Sequence, residues 1–543
     1  MSQTTVEVRP EATVTPSQVE AQVTPEPKRA LYDRLLNPMP SGRLLGWLGP
    51  ILVTILAAAL RLPNLSTPKA LAFDETYYIK DALSLLLFGY ARSTVDGADK
   101  IILGSDGNPA ALATIFKDNP SFVVHPPVGK WVIAAGENFF GVTPFGWRIG
   151  VAVLGILGVL ILARVTRRMT RSNVIGTIAG FLLAIDGLGI VMSRTGLLDN
   201  TLMFFVLVAF ACLLLDRDRT RRRLANRLAD SSGLGTAWFG WRPWRLAAGV
   251  SLGLACGVKW SGLYYVVAFG LLTVLWDLST RRMLGSAHPL RAMLLRDALP
   301  ALASIVGLAL LTYIATWAGW LVSSQGWDRQ WAVTAGKGDS GLLGLLPTAL
   351  QSLWHYHVEA WNFHTHLTSP HSYQSNPWGW SLMARPTSFF YDSPTGRCGS
   401  ATCSQEVISL GNPLIWWAGT IALIHQAWRW IGRRDWRSGA VLCGFVAGWF
   451  PWLFFQERTV FTFYAIVYLP FMIIALAMSL GVVMGPRPTG DQSTNNRRLF
   501  GSIAVGGFLL AALAATWFFF PIWTAEIITY SQWNFRMWFP TWV

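Results

Sequence analysis

The stretch Gly146–Ala163, GWRIGVAVLGILGVLILA, is apolar over about the length that a helix needs to cross a bilayer, with one arginine near its start. A group of arginines follows it directly: Arg164, Arg167, Arg168 and Arg171. Cytoplasmic loops of membrane proteins carry an excess of such residues. The stretch therefore predicts a transmembrane helix whose carboxyl end faces the cytoplasm.

Apolar runs of this kind recur along the whole chain of 543 residues. The composition agrees, because 52% of the residues are hydrophobic and 13% are charged, whereas soluble domains carry about 25% charge. We predict an all-α polytopic membrane protein with about eleven spans. They lie near Leu45–Leu62, Gly146–Ala163, Val174–Val191, Thr201–Leu215, Leu246–Val258, Leu263–Trp276, Leu299–Val322, Pro413–Ile431, Ala440–Phe455, Val460–Val483 and Phe500–Ile522.

Basic residues are concentrated between alternate spans, and the net charge of +15 is spread over these groups. That spread argues against nucleic acid as a partner. The positive-inside rule puts these groups in the cytoplasm, and with them the amino terminus, while the carboxyl terminus lies outside. The further groups are Arg217, Arg219, Arg221, Arg222, Arg223 and Arg227; Arg281 and Arg282; Arg429, Arg433, Arg434 and Arg437; and Arg497 and Arg498.

The spans divide the chain into four parts. Residues 1–43 are predicted to be a disordered cytoplasmic tail, since the start of the chain is rich in Thr, Val, Glu and Pro without an apolar period. Residues 44–322 form an amino-terminal membrane part with a long outer loop at 63–145. Residues 323–412 form a second long outer loop, and residues 413–543 a carboxyl-terminal membrane part. Two loops of this length with many Trp, His and Pro residues favour function.

The first outer loop contains an acidic pair, Asp74 and Glu75, between aromatic residues. An isolated pair of this kind is usually a solvated loop surface. Here it follows the first span closely, where aromatic side chains and lipid would partly desolvate a carboxylate and give it the basicity of a general base. Neighbouring side chains diverge, so we expect Asp74 to act as the base and Glu75 to orient it or the acceptor.

Several further motifs follow in a fixed order: Arg61-x-Pro63, His125-Pro126-Pro127-x-Gly129-Lys130, Trp147-Arg148, Ser193-Arg194-x-x-Leu197-Leu198-Asp199, Lys259-Trp260-Ser261-Gly262, Arg385-Pro386, and Arg458 before Phe463-Tyr464. Together with the acidic pair they resemble the protein O-mannosyltransferase family, integral-membrane glycosyltransferases of the GT-C architecture. The stretch His364-x-His366-x-x-x-Pro370-His371 is similar to the actinobacterial members. The resemblance covers the chain from about Arg61 to Pro470.

The resemblance implies an activity and a location. Members of this family move mannose from a polyprenyl phosphate in the outer leaflet to Ser or Thr hydroxyls of exported proteins. It implies a bacterial plasma-membrane enzyme that inverts the configuration at the anomeric carbon of the sugar. The active site would be extracytoplasmic, and by analogy the secretion translocon would be a partner. No cofactor is implied, and a divalent cation is left open.

Cations at the predicted outer boundary are candidates for binding the lipid phosphate: Arg148, Lys259, Arg458 and Lys130. An unpaired charge is costly in such an apolar setting, although cations near helix ends also reach the interface without any function. We expect Asp199 to pair with one of these cations. The residues expected to contact the acceptor or to stabilise the site are Arg61, His125, Asp199 and Arg385.

The second loop holds a histidine cluster and a cysteine pair. The cluster, formed by His355, His357, His364, His366 and His371, lacks the partners of an obvious metal site, so we predict a structural or substrate-groove role. Cys398 and Cys403 are expected to form a disulfide, because the outer face of a bacterial membrane permits one.

Two other classes remain open. The first is another polyprenyl-phosphate-sugar-dependent GT-C transferase, one that acts on a lipid or polysaccharide. The second is a lipid-linked transporter, a class that places ionisable residues at mid-span. Here Asp186 is the main residue of that kind. Acceptor and liposome assays distinguish the three.

Overall fold

The computed structural model describes residues 26–36, 39–40, 42, 44–228, 234–334, 341–486 and 496–543. Most of them are helical. The helices are α1 (Glu26–Leu35), α2 (Leu45–Arg61), α3 (Glu75–Phe88), α4 (Ala98–Gly104), α5 (Pro109–Ala113), α6 (Val128–Phe140), α7 (Pro144–Thr170), α8 (Asn173–Ile185), α9 (Gly187–Arg194), α10 (Asp199–Arg227), α11 (Pro243–Val258), α12 (Gly262–Met283), α13 (Pro289–Thr316), α14 (Ala318–Val322), α15 (Trp331–Thr334), α16 (Thr348–His366), α17 (Pro413–Arg433), α18 (Trp436–Trp449), α19 (Leu469–Val483), α20 (Asn496–Thr524) and α21 (Tyr530–Asn534). Short 3-10 turns occur at Leu234–Thr236, Leu342–Leu345, Pro377–Leu382, Phe450–Phe454, Thr462–Val467 and Pro540–Trp542.

Within the described residues, five helices are long and apolar enough to cross a membrane: α7, α10, α12, α13 and α20. The bent pair α8 and α9 adds a sixth candidate, and α2 and α19 are apolar but shorter. The all-α membrane class is confirmed. The count of about eleven spans stays a prediction.

The single span predicted near Val174–Val191 is wrong in one respect, because the chain forms two helices, α8 and α9, that meet at an angle of 58°. Asp186 lies at the joint and is fully buried. Its carboxylate accepts hydrogen bonds from the backbone N–H of Gly189 (3.0 Å) and Asn412 (3.1 Å) and from Trp416 Nε1 (2.8 Å). Asp186 therefore caps the second helix and satisfies backbone that the break would leave unpaired.

The 63–145 segment, predicted to be the first outer loop, packs against the helices of the membrane part. Helix α3 packs against α6, and α6 packs against α7. Between α3 and α6, strands β1 (Arg92–Thr94) and β2 (Phe116–Pro120) pair antiparallel. This arrangement brings the start of α3, where the acidic pair lies, close to the residues that precede α6.

The 323–412 segment, predicted to be the second outer loop, pairs with a strand from the carboxyl-terminal part of the chain. Strands β3 (Ser388–Asp392), β4 (Cys403–Ile408) and β5 (Ile527–Thr529) form an antiparallel sheet in that order, so a strand from the carboxyl-terminal part extends the sheet of the loop. Cys398, in the connection between β3 and β4, forms a disulfide with Cys403, the first residue of β4.

Arg385 lies at the surface of the second loop and forms hydrogen bonds with backbone carbonyls of the loop and of the carboxyl-terminal residues. Its guanidinium donates to the carbonyl oxygens of Ser372 (2.8 Å), Thr541 (2.7 Å) and Val543 (2.8 Å). Trp542 is buried and donates from Nε1 to the carbonyl of Met383 at 2.9 Å. Of the two roles predicted for Arg385, acceptor contact or structure, these bonds favour the second, since they hold the chain end against the loop.

The predicted disorder of residues 1–43 is wrong for Glu26–Leu35, which form α1. Leu35 is buried against Leu224, Ala225 and Phe239. A helix this short has no stability of its own, so tertiary packing decides whether it forms. Residues 1–25 lie outside the described part of the chain.

Candidate active site

Asp74 stands immediately before the first residue of α3, at the amino end of the helix. The preceding residue, Phe73, has a φ of +53°, in the left-handed region that a bulky side chain rarely adopts. Such strain persists where the surroundings over-determine it, and it is common at functional sites. The ring of Phe73 packs against aromatic side chains from the second loop and from the segment before α19: His371, Phe389, Phe461 and Phe463.

The environment of Asp74 suits a general base. The hydroxyl of Tyr78, one turn further along α3, donates to Asp74 Oδ2 at 3.2 Å. Burial raises the pKa of Asp74 to about 6, because the charged form is poorly solvated, while the nearby Lys259 opposes that rise. A base with this pKa is ionised near neutral pH and still holds a proton well.

Glu75 forms a fully buried ion pair with Arg148, and neither side chain is exposed to solvent. Both carboxylate oxygens are used, since Glu75 also accepts from the backbone N–H of Ala72 (2.8 Å) and Gly196 (2.7 Å). Glu75 therefore ties the start of α3 to the segment between α9 and α10. It has no oxygen free to contact an acceptor.

Arg148 is not available to a lipid phosphate, which corrects the predicted role. Its Nε and Nη2 each donate to Glu75 at 2.8 Å. The remaining donors go to the carbonyl oxygens of Leu65 (3.2 Å), Pro68 (2.9 Å) and Ala70 (2.8 Å). Every guanidinium N–H is thus engaged within the protein, and Arg148 anchors the first loop.

Lys130 and Arg61 are likewise committed to the protein. Lys130 is buried, pairs with Asp81 at 3.0 Å, donates to the carbonyl of His125 at 3.0 Å and does not line the cavity of Lys259 and Arg458 described below, so these contacts favour a structural role over the predicted contact with phosphate. Arg61 is buried at the end of α2 and donates to Ser193 Oγ (3.2 Å) and the carbonyl of Ala184 (2.8 Å). Of the two roles predicted for Arg61, these bonds favour the structural one.

Lys259 lies at the break between α11 and α12, where the backbone is extended. Its ammonium donates to Asp199 Oδ2 at 2.7 Å and lies 5.1 Å from the ring centre of Tyr464. Asp199 is the first residue of α10 and is buried with it. This pairing was expected for Asp199. One carboxylate leaves the ammonium with donors to spare for a second anion.

Arg458 contacts His364, which in turn stacks on a histidine of the 63–145 loop. Its Nη2 contacts His364 Nδ1 at 3.2 Å, and its guanidinium lies 5.7 Å from the ring centre of Trp452. His364 stacks on His125, with ring centres 5.3 Å apart. Burial lowers the pKa of His125, so its imidazole is neutral near pH 7. The two loops therefore meet beside this arginine.

Lys259, Arg458 and the residues around them line a cavity of about 150 Å³. Lys259 and Arg458 supply positive charge, and Asp74 lies within electrostatic range of Lys259. The lining residues that carry the argument are His125, Asp199, Lys259, Trp260, His364, Arg458 and Tyr464.

A second, apolar groove of about 560 Å³ adjoins the cavity and shares Trp260, Leu263 and Trp361 with it. Its walls come from α11, α12, α13 and α16. Trp260 lies at the junction, held by a hydrogen bond from Nε1 to the hydroxyl of Tyr313 at 3.0 Å. The sequence reasoning assigned no role to Trp260, although it lies inside a quoted motif, and missed the groove because distant helices form it.

The histidine cluster does not form one site. His355 stacks on Trp331 at 4.3 Å, while His357 contacts the hydroxyl of Tyr313 at 2.5 Å. Among the described residues, no group of three or more His, Cys, Asp or Glu side chains is arranged to hold a metal ion. The predicted structural or groove role fits the positions of His355 and His357, whereas His366 is exposed.

Comparison with known proteins agrees with this geometry. Residues 120–293 match the family model of dolichyl-phosphate-mannose-protein mannosyltransferase, and residues 349–542 match that of the C-terminal four-TMM region of protein-O-mannosyltransferase. The polyprenol-phosphate-mannose–protein mannosyltransferase of Mycolicibacterium smegmatis is 37% identical over 517 residues, 93% of this chain and 94% of the relative. The enzyme of the same description from Mycobacterium tuberculosis is 36% identical over 519 residues, 93% of each chain.

Among solved structures, the protein O-mannosyltransferase Pmt1–Pmt2 complex of S. cerevisiae bound to the sugar donor aligns with a TM-score of 0.67, over 95% of this chain and 94% of that chain. At 16% identity this shows a shared fold. The predicted GT-C architecture is confirmed by this match, and the resemblance found in the motifs is confirmed by the relatives. The chain belongs to the family of polyprenol-phosphate-mannose–protein mannosyltransferases.

Proposed function

We propose that this protein transfers mannose from a polyprenyl phosphate to Ser or Thr hydroxyls of exported proteins. The observation that carries the proposal is a partly buried carboxylate, Asp74, within electrostatic range of Lys259, which lines a cavity together with Arg458; an apolar groove adjoins that cavity. A lipid-linked sugar has the same sequence of parts: a sugar, an anionic phosphate and an apolar chain.

We assign phosphate binding to the cations that keep N–H groups without an acceptor in the protein. Lys259 and Arg458 line the cavity and keep N–H groups that no described residue accepts, whereas Arg148 and Lys130 are buried among protein acceptors. The prenyl chain then lies in the groove beyond Trp260. The phosphate would lie at the junction of cavity and groove.

Transfer proceeds by a single displacement. The acceptor hydroxyl attacks the anomeric carbon and passes its proton to Asp74, while the bond from that carbon to the phosphate oxygen breaks and its electron pair stays on the phosphate. Attack from the opposite side inverts the configuration. A phosphate needs no protein acid, but its growing charge has to be stabilised, and fixed cations do this best where water is excluded.

The location follows from the charge pattern of the loops. Alternate connections between spans are rich in arginine, which favours a plasma membrane with the amino terminus in the cytoplasm and the active site and carboxyl terminus outside. Exported proteins present their hydroxyls on that side. The secretion translocon is then a natural neighbour.

The test is transfer of labelled mannose from polyprenyl-phosphate-mannose to a Ser/Thr-rich peptide, with wild-type protein and the Asp74→Asn variant in nanodiscs. Loss of a general base costs about a hundredfold to ten-thousandfold in rate. Asp118→Asn is the matched control, because this carboxylate lies in the same loop and is fully exposed.

The outcomes of this assay distinguish the proposed reaction from the alternatives. Equal activity of Asp74→Asn and the wild type would remove Asp74 from the mechanism while keeping the reaction. Absence of transfer by the wild type, with transfer to a lipid or polysaccharide acceptor instead, would assign the chain to the other class of GT-C transferase. Movement of the lipid without transfer would indicate a transporter.

A further inference from the structure

His364 belongs to the last turn of α16, and its ring lines the cavity next to Arg458. Both ring nitrogens have partners. Nε2 lies 3.0 Å from the carbonyl oxygen of Val124, and Nδ1 lies 3.2 Å from Arg458 Nη2. One side chain thus joins the second loop, the first loop and the arginine.

These partners determine the protonation of His364. A carbonyl oxygen accepts only, so Nε2 carries the proton and donates it to Val124. A guanidinium donates only, so Nδ1 is unprotonated and accepts from Arg458. The neutral ring agrees with its surroundings, since burial and the charge of Arg458 lower the pKa of His364 to about 4. No nitrogen remains for general acid or base chemistry.

The contact with His364 matters more for the orientation of Arg458 than any single hydrogen bond matters for that of Arg148. Among the residues that the structure describes, His364 is the one hydrogen-bond partner of the Arg458 guanidinium, and its Nε is buried without a partner. Arg148, by contrast, uses all its donors within the protein. Arg458 therefore keeps donors free for a ligand, and His364 sets where they point.

We propose that His364 is a positioning residue that orients the guanidinium of Arg458 toward the phosphate of the donor lipid. Its second hydrogen bond, to the carbonyl of Val124, links this orientation to the backbone of the first loop. The inference rests on the proposed function, because it needs a phosphate at Arg458. It predicts that the hydrogen bond accepted by Nδ1 matters for donor binding, and that the bond donated by Nε2 matters less.

Two amide variants separate the two nitrogens. The oxygen of an asparagine at position 364 stands near the position of Nδ1 and accepts from Arg458, while the amide of a glutamine stands near Nε2 and donates to Val124. We expect His364→Gln to raise the KM for the donor about tenfold, the scale of one hydrogen bond to a charged group. His364→Asn should stay within about threefold of the wild type. The KM for the acceptor peptide should not change in either.

The control is His366→Gln, two residues along the same helix, because His366 is exposed and its Nδ1 contacts the carbonyl of Asn362 at 2.8 Å. It should behave as the wild type. A double variant gives the sharpest readout: in an Arg458→Ala background, His364→Gln should add no further loss, since the group it positions is gone.

The outcomes separate the inference from the proposed function. No transfer by the wild type overturns the proposed function. An active wild type whose His364→Gln and Arg458→Ala losses multiply overturns the inference, as does a His364→Asn variant that is weaker than His364→Gln. A lower unfolding temperature shared by both amide variants, with unchanged donor KM, would show that His364 serves stability alone.

Discussion

Arg148→Ala is expected to unfold the first outer loop rather than to weaken donor binding. The guanidinium and Glu75 are both fully buried, and the change removes the positive partner while leaving the carboxylate in place. Breaking a buried pair in this way costs about 3–5 kcal/mol, because an uncompensated charge stays buried. Three backbone carbonyls lose their donor as well.

The assay measures unfolding and donor binding on the same samples. Thermal unfolding and protease cleavage of the 63–145 loop report stability, and donor KM is measured on the fraction that remains folded. Arg148→Lys should be intermediate, since it keeps the charge but not the planar fork of donors. Arg458→Ala is the matched comparison and should raise the donor KM with a much smaller loss of stability than Arg148→Ala, since it breaks one described hydrogen bond and leaves no buried carboxylate without its partner.

The reasoning would be refuted by an Arg148→Ala protein that unfolds at the wild-type temperature, resists protease and binds the donor weakly. That result would return Arg148 to the phosphate site. A partial rescue is also expected: adding Glu75→Gln to Arg148→Ala removes the stranded charge and should recover part of the lost stability.

Three further predictions concern the base, the groove and the chain end. Because the pKa of Asp74 is raised to about 6 and the base works unprotonated, kcat/KM should fall as pH drops below about 6; a rate that stays flat down to pH 5 would contradict this role. Val306→Trp, which puts a large ring into the apolar groove, should raise the KM for a long-chain donor and leave that for a short-chain analogue unchanged, as measured by mannose transfer. Trp542→Ala should lower the free energy of unfolding by about 3–5 kcal/mol, since it empties a buried site and leaves the carbonyl of Met383 without its donor. Protease cleavage within residues 367–412 measures this loss. A variant as resistant as the wild type would show that Trp542 does not hold the carboxyl-terminal residues against the second loop.

The pattern of apolar and basic stretches by itself determined the membrane class, since a bilayer imposes a length on each span and arginine resists transfer across it. The same pattern predicts the two long outer loops. The ordered motifs pointed to the family, and the relatives confirm it. Local patterns did not show the break at Asp186, because the run from Val174 to Val191 is continuously apolar around one acidic residue.

Only the tertiary structure decided which cation serves which purpose. In the sequence, Arg148, Lys259 and Arg458 look alike, each a cation at the edge of an apolar run. Their roles depend on acceptors far away in the chain: Glu75 and three loop carbonyls consume every donor of Arg148, whereas Arg458 meets one imidazole nitrogen. A residue's hydrogen-bond capacity is set by its type, but how much of it remains for a ligand is set by what the fold places around it.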